Sequence, residues 1–116
     1  MDRPIQIDMF IDTPSVVEDG KEVFFLQGMR TIPSGRHVRL AEIEIKQNAV
    51  GLWMWACSCY GKKGGFCYGV SEKWGNFAIS RTEALTKATI ELARRASKSL
   101  TYDEQDRVRN WLGGLF

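Results

Sequence analysis

No run of apolar residues in this chain approaches the roughly 20 that a helix needs to cross a bilayer. The first twenty residues carry Asp2, Asp8, Asp12, Glu18 and Asp19, where a secretory signal would be basic. Together these predict a cytoplasmic protein without membrane contact. Histidine is almost missing as well: His37 is the single copy and so the one histidine base a cysteine nucleophile could use, and no Ser/His/Asp or paired-carboxylate arrangement is visible. The three cysteines are an odd count, and cytoplasmic thiols are usually reduced, so they do not form a disulfide framework. Internal repeats and low-complexity tracts are lacking too. What is left, 116 residues with 44% apolar and 26% charged, is one globular domain's worth of chain with enough apolar material for a core.

The net charge of +2 is unevenly distributed. Residues 1–20 sum to −4, residues 21–99 to +7 and residues 100–116 to −1. An acidic arm therefore precedes a basic body, which leaves room for a polyanionic partner without requiring one.

The organising stretch is Val50 to Val70. Val50-Gly51-Leu52-Trp53-Met54-Trp55-Ala56-Cys57-Ser58-Cys59-Tyr60 and Phe66-Cys67-Tyr68-Gly69-Val70 flank the turn cluster Gly61-Lys62-Lys63-Gly64-Gly65, which reads as a β-hairpin. Leu52, Met54, Ala56, Ser58 and Tyr60 share one face, and Trp53, Trp55, Cys57 and Cys59 the other. A symmetric five-residue loop would set Tyr60 against Phe66 and Cys59 against Cys67. Both faces are apolar, so one predicts helical cover and the other cover by the arm, a helix or a second copy of the chain. Upstream, His37 to Lys46 reads as a strand whose parity slips at Leu40-Ala41, the mark of a bulge. Val23-Phe24-Phe25-Leu26 is too short to assign to strand or helix by period.

Downstream the period lengthens. Ser80-Arg81-Thr82-Glu83 is a capping box opening a helix to about Ser97, with Ala84, Leu85, Ala88, Leu92 and Ala96 as its buried stripe. Thr101-Tyr102-Asp103-Glu104 opens a second, with Val108, Trp111, Leu112 and Leu115 inward and Gly113-Gly114 at its end. The expected architecture is α+β: an antiparallel meander of three or more strands with two C-terminal helices packed on the sheet. Residues 1–20 form an extended N-terminal arm and residues 21–116 a single α+β domain.

Within the arm, Gln6-Ile7-Asp8-Met9-Phe10 resembles the peptide by which bacterial polymerases and repair proteins dock on the replicative sliding clamp: Gln, any residue, Asp or Ser, Leu or Met, Phe. The resemblance covers five residues. It implies that Gln6 hydrogen-bonds at the rim of the clamp's groove, Met9 and Phe10 fill its apolar pocket, and Ile7 and Asp8 hold the extended backbone between these anchors. Large adjacent apolar side chains on an acidic arm are costly to expose unless a partner receives them. The bland alternative is an edge strand, because Ile5, Ile7, Met9 and Ile11 alternate; it would leave Phe10 on the polar side with Gln6 and Asp8.

Other candidates are fewer. Cys57, Cys59 and Cys67 with His37 could be drawn into a zinc site, but Cys-x-Cys within a strand splays its thiols about 7 Å apart, and buried free cysteines are the ordinary outcome. No metal, cofactor or catalytic residue is expected, and no enzymatic activity. Lys62, Lys63, Lys73, Arg81 and Lys87 lie in loops and the first helical turns, where a β-β-β-α layout could bring them to one edge to meet phosphates. The strand order and the Gly-Lys-Lys-Gly-Gly turn resemble double-stranded-RNA-binding-type domains in topology. Those domains begin with a helix and open their last helix with Lys-Lys, where this chain has Arg81-Thr82-Glu83. Trp53, Trp55, Tyr60, Tyr68 and Trp74 offer rings for stacking on single strands, most of them better placed in the core, with Trp74 the one expected at the surface.

The functional expectation is a non-enzymatic interaction protein, of bacterial, phage or mobile-element type, docking on the bacterial DNA sliding clamp through Gln6–Phe10, with DNA or RNA contact by its basic body. The alternatives are a nucleic-acid-binding module without clamp binding, and a homodimeric structural or regulatory protein.

Overall fold

The computed structural model describes residues 15–31, Pro33, Gly35 and residues 37–115. Strands come first and two helices last, as expected of this α+β chain. β1 (Ser15–Glu18), β2 (Lys21–Thr31), β3 (His37–Gln47), β4 (Trp53–Gly61) and β5 (Gly64–Phe66) are successive antiparallel neighbours, and β6 (Phe77–Ala78) returns to pair with the start of β4. α1 (Arg81–Ser99) and α2 (Tyr102–Gly113) follow. No helix of the described residues is long and apolar enough to cross a membrane.

The arm boundary shifts. Ser15–Glu18, read as the end of the arm, pair with Lys21–Phe24 of β2. The reason is the Asp19-Gly20 turn: both residues have positive φ, 53° and 76°, the backbone of a two-residue hairpin turn that Asp-Gly adopts readily. Val16-Val17 before that dipeptide and Val23 after it were the signal for this strand. The ambiguous run Val23–Leu26 is the centre of an 11-residue strand. Next to it the expected bulge is present: Leu26 pairs with Ala41 and Gln27 with Arg39, so Leu40 is the extra residue, and Leu40 and Ala41 are both buried.

The hairpin register also differs from the symmetric reading. Gly61 pairs with Gly64, Tyr60 with Gly65 and Cys59 with Phe66, which leaves only Lys62-Lys63 in the turn. At Gly65 a Cβ would collide with the Cys59 carbonyl, so the strands close this tightly only because the position is glycine. Phe66 consequently lies on the same face as Cys59, and Cys67 leaves that face.

That face is the helix-covered one. Phe24, Ala41, Ile43, Ile45, Cys57 and Cys59 meet Ala84, Leu85, Ala88, Leu92 and Ala96 of α1 and Val108, Trp111 and Leu112 of α2 in one core, with Trp53, Trp55 and Phe66 packed at its margin. The alanines let α1 approach the sheet closely, while Leu92, fully buried, contributes roughly 1.5–3 kcal/mol of apolar transfer. Ser80 Oγ accepts from the Glu83 amide at 3.1 Å, but the Glu83 carboxylate accepts from Ile79 instead of Ser80, so this box is half-formed. The Thr101 box is complete.

The opposite face is covered in two parts. Over β4, where Met54, Ala56 and Ser58 are buried, the loop of residues 67–76 folds across the sheet: Tyr68 N and Ser58 Oγ lie 3.3 Å apart, and the Val70 amide donates to Glu44 Oε1 at 3.2 Å. Over β1 to β3 the face is a ribbon of ion pairs, Lys21–Glu44 at 3.1 Å, Arg39–Glu18 at 3.2 Å and Arg39–Glu42 at 3.3 Å, with the Arg39 guanidinium stacked 4.0 Å from the Phe25 ring centroid. The second cover is thus supplied by a loop of the same domain.

Candidate functional site

The clamp-type residues Gln6, Ile7, Asp8, Met9 and Phe10 lie outside the described residues. The chain enters the described structure at Ser15 on the edge strand β1, all four of whose residues are exposed.

The basic candidates do not gather. Lys62 and Lys63 form the β4–β5 turn beside the start of α2, where the Lys62 amide donates to Glu104 Oε2 at 3.1 Å. Arg81 opens α1 at the other end of that 19-residue helix, about 28 Å away at 1.5 Å per residue. Arg81 is also committed: its Nε and Nη2 donate to the two oxygens of Glu22 at 2.9 and 2.6 Å, and this holds its pKa up. Lys87 donates to the Phe77 carbonyl at 3.2 Å and lies 4.0 Å from Glu83. Lys73 sits over the Trp74 ring, 4.8 Å from its centroid. The single basic edge expected of these five residues is therefore replaced by two ends and a loop, because α1 runs the length of the sheet between them.

A different constellation is assembled where the 67–76 loop meets α1. Cys67, Tyr68, Trp74, Asn76, Glu91 and Arg95 line a cleft of about 370 Å³. The loop is held by its own polar atoms. Ser71 caps a single 3-10 turn (Glu72–Trp74), and Gly75 ends it in the left-handed region. Asn76 Nδ2 donates to the Trp55 carbonyl at 3.2 Å and to Tyr68 Oη at 3.1 Å. Trp74 Nε1 donates to the Gly69 carbonyl at 2.9 Å, which sets the indole on edge to Tyr68 with centroids 5.4 Å apart and planes at 70°.

From the helix side, Glu91 accepts the Tyr68 hydroxyl at 2.8 Å and pairs with Arg95, one turn on, at 2.9 Å. The Arg95 guanidinium lies 3.7 Å from the Phe66 ring centroid. Burial, then the hydrogen bond to Glu91, pushes the Tyr68 hydroxyl far above the ordinary tyrosine value, so it stays a donor. With both carboxylate oxygens engaged, Glu91 is a structural acceptor. The cleft presents rings and cations.

The thiols divide by register. Cys57 and Cys59 are buried against the helices, and burial first, with Glu91 nearby, pushes Cys57 up to about 12. It is a neutral thiol near pH 7 and a poor nucleophile or metal ligand. Cys67 is exposed on the cleft rim, where its Sγ accepts the Tyr60 hydroxyl at 3.0 Å. Among the described residues, no group of three or more His, Cys, Asp or Glu side chains is arranged to hold a metal.

Trp74 is at the surface as expected, 47% exposed, and Tyr68 was among the candidate stacking rings. Asn76, Glu91 and Arg95 were not singled out from sequence. Glu91 and Arg95 are legible as an i, i+4 pair on a helix, but only tertiary packing brings that pair to Tyr68. No protein-family model matches the chain, and neither a curated protein nor a solved structure matches it.

Proposed function

We propose that this is a non-enzymatic interaction protein that docks on the bacterial DNA sliding clamp through Gln6, Ile7, Asp8, Met9 and Phe10. The observation that carries the reading is the segment itself: a glutamine, an acidic residue and two adjacent large apolar residues in the order and spacing of the clamp-docking peptide. Such peptides bind extended, with a few anchors supplying most of the affinity. Met9 and Phe10 are the anchors, Gln6 the polar contact at the groove rim.

On this reading the folded body follows the docking peptide closely. The peptide joins it at the exposed edge strand β1. Five residue steps separate Phe10 from Ser15, a tether of at most about 17 Å. A homodimer built sheet to sheet is less favoured, because the helix-free face carries the Arg39, Glu18, Glu42, Lys21 and Glu44 ion pairs and the 67–76 loop where a broad apolar surface would be needed.

The test is calorimetric titration of a bacterial sliding clamp with the intact protein and with the Met9→Ala, Phe10→Ala double variant, each checked for fold by circular dichroism. Saturable heat from the intact protein that the variant abolishes is expected. No heat from either, or equal heat from both, overturns the reading.

A further inference from the structure

We propose that the cleft of Tyr68, Trp74 and Arg95 is a stacking site for the bases of single-stranded nucleic acid. This inference does not depend on clamp docking.

Three observations converge on it. First, Tyr68 and Trp74 both line the cleft and meet edge to face with centroids 5.4 Å apart, and Trp74 is 47% exposed. Second, the polar atoms of those rings are spent inside the protein: the Tyr68 hydroxyl on Glu91 and the Trp74 indole N–H on the Gly69 carbonyl. What remains for a ligand is the part of the Trp74 π surface that Lys73, 4.8 Å from its centroid, does not cover, and bases of any sequence can stack on it. Third, cations lie over the rings. Lys73 stands 4.8 Å from the Trp74 centroid and Arg95 3.7 Å from that of Phe66. Arg94 and Lys98, spaced three and seven residues from Glu91, extend the same flank of α1.

Charge selects among ligand classes. Glu91 is offset by Arg95, and Glu72 is engaged by Asn48 Nδ2 at 3.1 Å. A quaternary ammonium, the other usual guest of an aromatic cleft, would meet Lys73 and Arg95. An acidic peptide would use the cations and leave the rings idle. A strand of nucleic acid uses both, with its bases on the rings and its phosphates toward Lys73, Arg94 and Lys98. A volume of about 370 Å³ admits a base with part of its sugar.

The experiment is fluorescence anisotropy of a labelled oligothymidylate of about twelve nucleotides, titrated with the full chain at two salt concentrations. An abasic oligonucleotide and a duplex of the same length serve as competitors. Trp74→Ala should weaken binding about tenfold or more, in line with one lost base stack. Lys73→Glu, a surface change that cannot disturb the core, should reduce the salt slope by about one. The abasic strand and the duplex should compete poorly. The Met9→Ala, Phe10→Ala protein should bind the oligonucleotide as the intact protein does. The proposal is overturned if the oligonucleotide does not bind, if neither Trp74→Ala nor Lys73→Glu alters binding, or if the abasic strand competes as well as the oligothymidylate.

Discussion

Glu104 joins the N-terminus of α2 to the β4–β5 turn through one carboxylate, so its removal tests how the hairpin is tied to that helix. Its Oε1 accepts the Thr101 amide at 3.0 Å, completing the N-terminal box of α2, and its Oε2 accepts the Lys62 amide of the β4–β5 turn at 3.1 Å. Glu104→Ala removes the carboxylate half of the box, the Thr101 hydroxyl still accepting the residue-104 amide, a loss of about 1 kcal/mol, and one charge-assisted hydrogen bond to the turn. That bond would contribute about 1.5–3 kcal/mol if fully buried and about 1 here, since water can replace the carboxylate at an exposed turn. We expect about 2 kcal/mol in urea unfolding at pH 7. The dependence on pH has a definite sign. Burial raises the Glu104 pKa, but the Thr101 and Lys62 amides, the Thr101 hydroxyl and the Lys62 ammonium outweigh it and hold the group below 4.5. A carboxylate held low in the folded state stabilises above its unfolded pKa and loses that stabilisation as pH falls through the folded value. The gap between the two proteins should therefore be constant near neutrality and narrow below about pH 4.5. A gap under about 0.5 kcal/mol at pH 7, or one that does not narrow in acid, would refute the account.

Leu92→Ala should cost about 2–5 kcal/mol in the same assay, because its side chain is fully buried between α1 and the sheet; a value below 1 would mean that the site collapses freely. Gly65→Ala should destabilise by about 1–3 kcal/mol through collision of its Cβ with the Cys59 carbonyl, and hydrogen exchange should show the loss at the β4–β5 pairing first. Maleimide should label Cys67 rapidly in the native protein, while Cys57 and Cys59 react only with unfolding, since both are buried and Cys57 is pushed up to about 12. Mass spectrometry after a brief pulse distinguishes one adduct from three. Arg81→Ala should cost no more than about 1 kcal/mol despite its two short contacts with Glu22, because water reaches both partners of this partly exposed pair; a larger loss would show that the pair fastens α1 to β2.

Much of this domain was legible because its signals are local. Alternation placed Trp53, Trp55, Cys57 and Cys59 on one face of β4, and that face is the one the helices cover. The spacing of Ala84, Leu85, Ala88, Leu92 and Ala96 marked the buried stripe of α1, and the slip at Leu40-Ala41 marked the bulge. Side-chain period and capping depend on residues within a few positions of one another, so one sequence carries them. The clamp-type segment was likewise visible as a string of residues, and the role proposed for it rests on that string alone.

Tertiary structure decided what depends on distance. The β4–β5 register turned on whether Gly65 could approach the Cys59 carbonyl, a contact between strands that no period reports. The placement of Lys62 and Arg81 at opposite ends of α1 followed from the helix running the length of the sheet, so charges close in sequence order did not become one patch. The cover for Met54, Ala56 and Ser58 was the 67–76 loop, which the chain marks only as turn-rich. The same loop carries Tyr68 and Trp74 to Glu91 and Arg95. Composition supplied the rings and cations, and the packing of a loop against a helix decided that they face one cleft, because side chains some 20 residues apart meet only when the backbone between them has folded back.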